Sequence, residues 1–100
     1  MICMIYYPDE NPGNSWADPI LKLLGYDSNP SKLQLLIDKV FTHATKNIKI
    51  PGTQVIPLQL SKALDGKNTS DYCARVEPSI SGGRKMANLM LDTLFTQLKT

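Results

Sequence analysis

A single histidine, His43, and two widely separated cysteines, Cys3 and Cys73, leave no Cys/His group at metal-ligand spacing, so no metal site is expected. The same scarcity removes a disulfide framework. The two thiols are expected to be free and buried, as in a protein of a reducing, cytoplasmic compartment. The longest apolar run is the seven residues from Met1 to Tyr7, short of the about 20 needed to cross a bilayer. It has neither the basic lead-in nor the small-residue cleavage site of an export signal, and no membrane partner is expected. Lys and Arg number 11 against 9 acids, and Arg84-Lys85 is the only adjacent basic pair. A surface that reads phosphate backbones needs clustered cations, so nucleic acid is not an expected partner. Repeats, low-complexity tracts and phosphate-loop or other cofactor motifs are also missing, which leaves residues 1–100 as one domain.

What is present alternates between strand and helix signals. Ile2 to Tyr7 is a β-branched and aromatic run that stops at Pro8, expected as a strand buried on both faces at the centre of a parallel sheet. A chain that opens inside such a strand implies that sequence is missing upstream. Pro8 to Ser15 is turn chemistry placed at the carboxyl end of that strand, where open parallel sheets hold ligands. Asp9 and Glu10 read there either as site carboxylates or as solvated loop acids, with Trp16 anchoring the loop. Asp18-Pro19 starts a short helix, Asp18 capping it and Gly25 ending it. Asn29-Pro30 starts a longer one. Its Leu33, Leu36, Ile37, Val40, Phe41 and Ala44 share one face at helical spacing. His43, at the margin of that face, is either a boundary residue or an imidazole available for catalysis.

Thr53 to Leu58 is expected as a second strand, shortened by Pro57, which favours an edge or a strand end. Leu60 to Leu64 reads as a helical turn closed by Asp65-Gly66, and Lys67 to Ala74 as polar connection. The last helix is expected from Gly82 to Leu98. Met86, Leu89, Met90, Leu94 and Leu98 face inward against the sheet, and Lys85, Asn88, Asp92, Thr96 and Lys99 face outward. The expected architecture is α/β with a short parallel sheet in the order β-α-α-β-α. Two strands with open edges make a poor sheet, so either another chain or a missing segment of this one should add more.

Between the second strand and the last helix lies the stretch with the clearest chemistry, Arg75-Val76-Glu77-Pro78-Ser79-Ile80-Ser81-Gly82-Gly83. Pro78 and the glycines restrict the loop and display Arg75 and Glu77 before a helix N-terminus. Arg75, Ser81 and the amides of Gly82 and Gly83 suit an anion, although helix capping accounts for the same residues. Glu77 is expected to cap the helix region or to pair with Arg75. Neither Ser79 nor Ser81 has an adjacent base, so neither is expected as a nucleophile.

The run Glu77-Pro78-Ser79-x-x-Gly82-x-x-x-Met86-Ala87 resembles the last sequence block of the SGNH (GDSL-type) hydrolases, Asp-x-x-His-Pro-x-x-x-Gly-x-x-x-Met-Ala. Its Pro, Gly, Met and Ala fall in register without a gap. Val55 to Leu60 looks like that family's final strand and the opening run, ending in Tyr-Tyr-Pro, like the strand before it. The resemblance implies the C-terminal part of a flavodoxin-like three-layer α/β/α sandwich, and an ancestry of ester hydrolysis by a serine with His and Asp partners. The blocks that carry the nucleophile and the oxyanion hole have no counterpart here. Glu77 stands at the position of the family's His and Ala74 at that of its Asp. Glu77 is therefore the one catalytic candidate, and the chain alone is expected to be inactive. The alternative is a small non-enzymatic α/β module that self-associates or completes a partner's sheet.

Overall fold

The computed structural model describes residues 1–13 and 15–98; Asn14 of the first loop and the outward placement expected of Lys99 lie outside them. Seven elements follow in chain order: β1 (Ile2–Met4), α1 (Asp18–Leu23), α2 (Pro30–His43), β2 (Pro57–Gln59), β3 (Tyr72–Ala74), β4 (Glu77–Pro78) and α3 (Ile80–Leu98). Short 3-10 turns at Thr45–Asn47, Leu60–Lys62 and Thr69–Asp71 link them. The fold is mixed α/β. Among the described residues no helix is long and apolar enough to cross a membrane.

β1 and β2 pair in parallel, with Ile2, Cys3 and Met4 opposite Pro57, Leu58 and Gln59. The parallel pairing is the one expected, and Pro57 takes the first position of its strand, where a missing N–H costs least. The strand expected over Ile2–Tyr7 is nevertheless only three residues long and half-buried. With a single neighbour the ladder ends once the chain turns to other partners: the Tyr7 N–H donates to the Leu64 carbonyl at 3.2 Å and the Tyr6 hydroxyl to the Val76 carbonyl at 2.6 Å. A second, antiparallel pair was not expected. β3 and β4 form a hairpin, Ala74 opposite Glu77, that leaves Arg75 and Val76 as its turn.

Both cysteines are free and exposed, against the expectation of burial. Each is the middle residue of a three-residue strand whose alternate positions turn inward, Ile2 and Met4 around Cys3, Tyr72 and Ala74 around Cys73. Strand periodicity thus turns both thiols outward.

The helices depart from expectation in what they cover. α1 starts at Asp18 with Ala17 at the cap, so Asp18 is its first residue rather than its cap. α2 begins at Pro30 as expected. Only Ile37 of its apolar stripe is buried; Leu36 and Val40 remain 56 % and 41 % exposed. His43 is an exposed last residue. α3 has its inner stripe only partly covered, with Met86, Leu89 and Met90 half-buried. Its main contacts are with the Thr69–Asp71 turn, β4 and the Leu60–Lys62 turn, its one buried residue is Gly82, and Leu94, Phe95 and Leu98 are exposed. The radius of gyration, 14.8 Å, exceeds the about 13 Å of a compact 100-residue domain.

The buried apolar side chains are Ala17, Leu21, Tyr26, Ile37, Leu58, Leu60, Leu64 and Tyr72, and Ala17, Leu21 and Tyr26 form one cluster with Leu33 and Val76 against them. Two glycines mark where backbones meet. Gly66, at φ +83°, would place a Cβ 2.4 Å from the Pro8 carbonyl oxygen, so it serves both a left-handed turn and a close approach. Gly82 would place one 2.1 Å from the Asp71 carbonyl oxygen, whereas a Cβ on Gly83 meets nothing within 4 Å. The neighbouring glycines therefore have opposite expected behaviour. Gly82→Ala should cost about 1–3 kcal/mol or more, because α3 must move off the Asp71 turn. Gly83→Ala should gain up to about 1 kcal/mol from helix propensity. Urea denaturation of the two variants reads the two signs directly.

Candidate functional site

Arg75 occupies the hairpin turn, yet its side chain points inward and is only 2 % exposed. Its Nη1 lies 2.6 Å from Asp27 Oδ1 and 3.4 Å from Asp18 Oδ1. Nε donates to the Asp9 carbonyl at 3.1 Å and Nη2 to the Glu10 carbonyl at 3.4 Å. The guanidinium carbon stands 5.7 Å from the centre of the Tyr26 ring, within cation–π range. The main chain of Arg75 takes part as well, its carbonyl accepting from the Asp9 N–H at 2.9 Å. One side chain thus ties the first loop to the start of α1 and to the α1–α2 connection.

A second layer supports it. The Tyr26 hydroxyl donates to the Pro8 carbonyl at 2.6 Å and accepts from Gln34 Nε2 at 3.1 Å. Gln34 Nε2 also donates to Glu10 Oε2, which pairs with Lys67 at 3.0 Å. Asp9, 3 % exposed, accepts from the Asn11 N–H and from the Thr69 hydroxyl. Asp9 is therefore not a solvated loop acid, and its carboxylate is taken up within the loop. The Asp18 carboxyl is held below its ordinary range, first by the Ser15 N–H it accepts and to a lesser degree by the Arg75 charge.

Glu77 is placed differently from expectation: it does not pair with Arg75, whose guanidinium is committed to Asp18 and Asp27. Glu77 is exposed and accepts from the Trp16 indole N–H at 2.7 Å. Trp16 is 63 % exposed, so it tethers the first loop by this bond rather than by burial. Ser81, Gly82 and Gly83 form a separate cluster. Because α3 begins at Ile80, they fall in its first turn, where the Gly82 N–H donates to Ser79 Oγ at 3.2 Å and the Gly83 N–H to the Ser79 carbonyl at 2.8 Å. The Ser81 hydroxyl donates to Asp71 Oδ1 at 3.3 Å, and Lys85 pairs with Asp71 Oδ2 at 2.8 Å. Buried Asp71 thus supplies the negative charge favoured near a helix N-terminus. The five residues singled out from the sequence fall into three settings: Arg75 in the buried network, Glu77 on Trp16, and Ser81 to Gly83 on Asp71.

A polar group beyond the carboxyl ends of β1 and β2 was not foreseen. The Tyr7 hydroxyl donates to Asp38 Oδ1 with Ser61 beside it, and Gln59 Nε2 reaches the same carboxylate oxygen at 3.4 Å. Tyr7 and Asp38 line an open cleft of about 490 Å³ with Asn29, Ser31 and Gln34 among its walls, a size that fits the about 300–1,000 Å³ of small-molecule sites. The hollow beside Arg75, about 100 Å³, is too small for more than a few atoms by the same measure. The only sequence signal for the larger cleft is a carboxylate, Asp38, in the middle of the apolar stretch of α2. Among the described residues no three His, Cys, Asp or Glu side chains group to hold a metal, and no hydroxyl or thiol is hydrogen-bonded to the His43 imidazole.

Two measurements test this arrangement. Arg75→Met leaves the Asp9 and Glu10 carbonyls without their donor and should cost on the order of 3 kcal/mol. Glu77→Gln should stay within about 0.5 kcal/mol, as is usual at exposed positions, while altering the emission of the single Trp16. Burial raises all four tyrosines above their ordinary value of 10.0, Tyr26 to about 12 and Tyr72 further still. Since folding raises these values, the neutral phenols contribute stability that is complete below pH 10 and is lost as pH rises through the folded values. Spectrophotometric titration should show less phenolate at pH 10 in the native chain than in denaturant, where the midpoint falls back to about 10.

In comparisons with known proteins the chain matches no family model, no curated protein and no solved structure.

Proposed function

We propose that this chain is the C-terminal part of a larger α/β/α sandwich similar to that of the SGNH hydrolases, and that it completes that sandwich structurally without catalysing ester hydrolysis itself. The observation that carries the proposal is the parallel β1–β2 pair. It is a two-stranded sheet with no further strand beside it among the described residues, flanked by an α3 whose Leu91, Phe95 and Leu98 are 51 %, 58 % and 72 % exposed. Parallel strands occur almost only in sheets of more strands covered on both faces by helices. The occupant that satisfies both the ladder edges and the uncovered helix is an α/β segment adding parallel strands, as the family resemblance implies. Such a segment would also supply the nucleophile and oxyanion blocks.

The settings of the matching residues support a structural role for this part. At the position of the family's base, Glu77 accepts the Trp16 indole and lies opposite Ala74 in the hairpin. An alanine there cannot orient a base as the family's aspartate does. Ser61 is 7 % exposed and lies beside the Tyr7 hydroxyl, and the Ser81 hydroxyl donates a hydrogen bond to Asp71. A serine becomes a nucleophile when a free base takes its proton and donors await the oxyanion.

The purified 100-residue chain should show no turnover of a chromogenic ester above the buffer rate. Saturable turnover that Ser61→Ala or Ser81→Ala abolishes would overturn the reading. Light scattering provides the second check: open ladder edges and bare apolar helix should make the isolated chain associate at micromolar concentration, whereas a stable monomer with cooperative unfolding would show that nothing needs completing.

A further inference from the structure

We infer that the outer face of α1 and α2 is a docking surface for an acidic amphipathic helix of another protein. Leu23 and Leu24 at the end of α1 and Leu33 and Leu36 of α2 line a groove of about 330 Å³ with Lys32 at its rim. A second hollow of about 280 Å³ shares Lys32 and Leu36 and runs on to Leu35 and Lys39. Leu23 is 86 % exposed, Leu35 55 % and Leu36 56 %. Leucines that stay open in a chain with so small a core form a contiguous apolar surface of the kind that marks an interaction site.

Charge identifies the occupant. Lys22, Lys32 and Lys39 belong to none of the ion pairs of the described residues. The carboxylates of these two helices and their connection are already engaged: Asp18 and Asp27 hold Arg75, and Asp38 accepts from Tyr7 and Gln59. The face is therefore apolar with an uncompensated cationic rim, and its complement is a helix carrying leucine-like anchors at i, i+3 or i+4 between Asp or Glu residues. A second copy of this chain does not fit. Its other long helix, α3, has a single acid, Asp92, and cannot place carboxylates on both flanks of an apolar stripe. An anionic bilayer matches the charge but has no side chains to enter the hollows, which a helix has. The docking face is independent of whether further strands join β1 and β2.

The experiment is fluorescence anisotropy of the full chain with a labelled synthetic peptide of about five helical turns, leucines on one face and glutamates on both flanks. A peptide with lysines in place of the glutamates and vesicles rich in phosphatidylserine serve as comparisons. The glutamate peptide should bind and should weaken with added salt. Lys32→Glu combined with Lys39→Glu should weaken it by about tenfold, and the neutral Leu36→Asn should do so at unchanged salt dependence. All these side chains are exposed, so circular dichroism should report the wild-type fold for each variant. Absence of binding at millimolar peptide, equal binding of the lysine peptide, or unchanged affinity of the charge-reversed variant would overturn the inference. Vesicle binding that the charge reversal removes, without peptide binding, would replace it with a membrane-surface role.

Discussion

Arg75 is the constraint on which the rest of this structure depends. Taking a guanidinium out of water costs several kcal/mol, recovered only if its donors are satisfied and its charge is met. Here Asp18 and Asp27 meet the charge, two main-chain carbonyls take further N–H groups, and the Tyr26 ring covers one face. These partners lie on three stretches of chain, residues 9–10, 18 and 26–27, so the arginine specifies how the stretches meet. Asp18 and Asp27 remain about a quarter exposed, and this lowers the desolvation cost on the acidic side while the arginine stays dry. The arrangement also accounts for the left-handed Gly66 and the buried Asp9, since both bring the first loop close enough for its carbonyls to reach the guanidinium.

A fold centred on a polar network has little apolar core left to stabilise its periphery. The largest fully buried side chains are Arg75, Tyr26 and Leu64, and only the last is an aliphatic core residue. A chain of this length has a modest hydrophobic margin at best. In this one a large share of the leucines on α1, α2 and α3 stays in water. The two proposals made above address that surplus separately: ladder edges and α3 call for more strands, whereas the lysine-rimmed face of α1 and α2 calls for an acidic helix. Charge divides them, because α3 has no comparable cationic rim.

Local signals carried the sequence reading where one residue's chemistry decides a backbone state. Pro30 starting α2, the turn closed by Gly66 and the parallel pairing of the two main strands were legible, whereas the strand expected from Thr53 through Val55 and Ile56 begins only at Pro57. The helix amphipathicity was legible too, but which partner covers each stripe was not, because a stripe records that a face is apolar and not that something lies against it. The hairpin of β3 and β4 was invisible since Lys67–Ala74 is mostly polar and its strands are too short to show alternation. For the site, sequence adjacency misled: two residues apart in a loop, Arg75 and Glu77 suggested an ion pair. The hairpin turn sends Arg75 to acids 48 to 57 residues away, and no local pattern announces such partners. The Tyr7–Asp38 cleft was equally hidden, as the residues around it come from three separate stretches, Tyr7, Asn29 to Asp38, and Gln59 to Ser61.

The division of roles between Arg75 and Glu77 bears on how the motif should be read. In the matching block Pro78, Gly82, Met86 and Ala87 are in register with the SGNH pattern, and of these Gly82 has a structural reason independent of catalysis, since the Asp71 carbonyl leaves no room for a Cβ. Pro78 likewise pairs with Tyr72 in the hairpin that presents Arg75. Pro78 and Gly82, two of the four positions that the resemblance shares, therefore serve backbone geometry around the start of α3, and Ala74 and Glu77 stand where the pattern has its aspartate and its base. Under the proposed reading, a segment that matches the pattern where backbones meet and departs from it where side chains would do chemistry is one that folds against its neighbours without itself moving a proton.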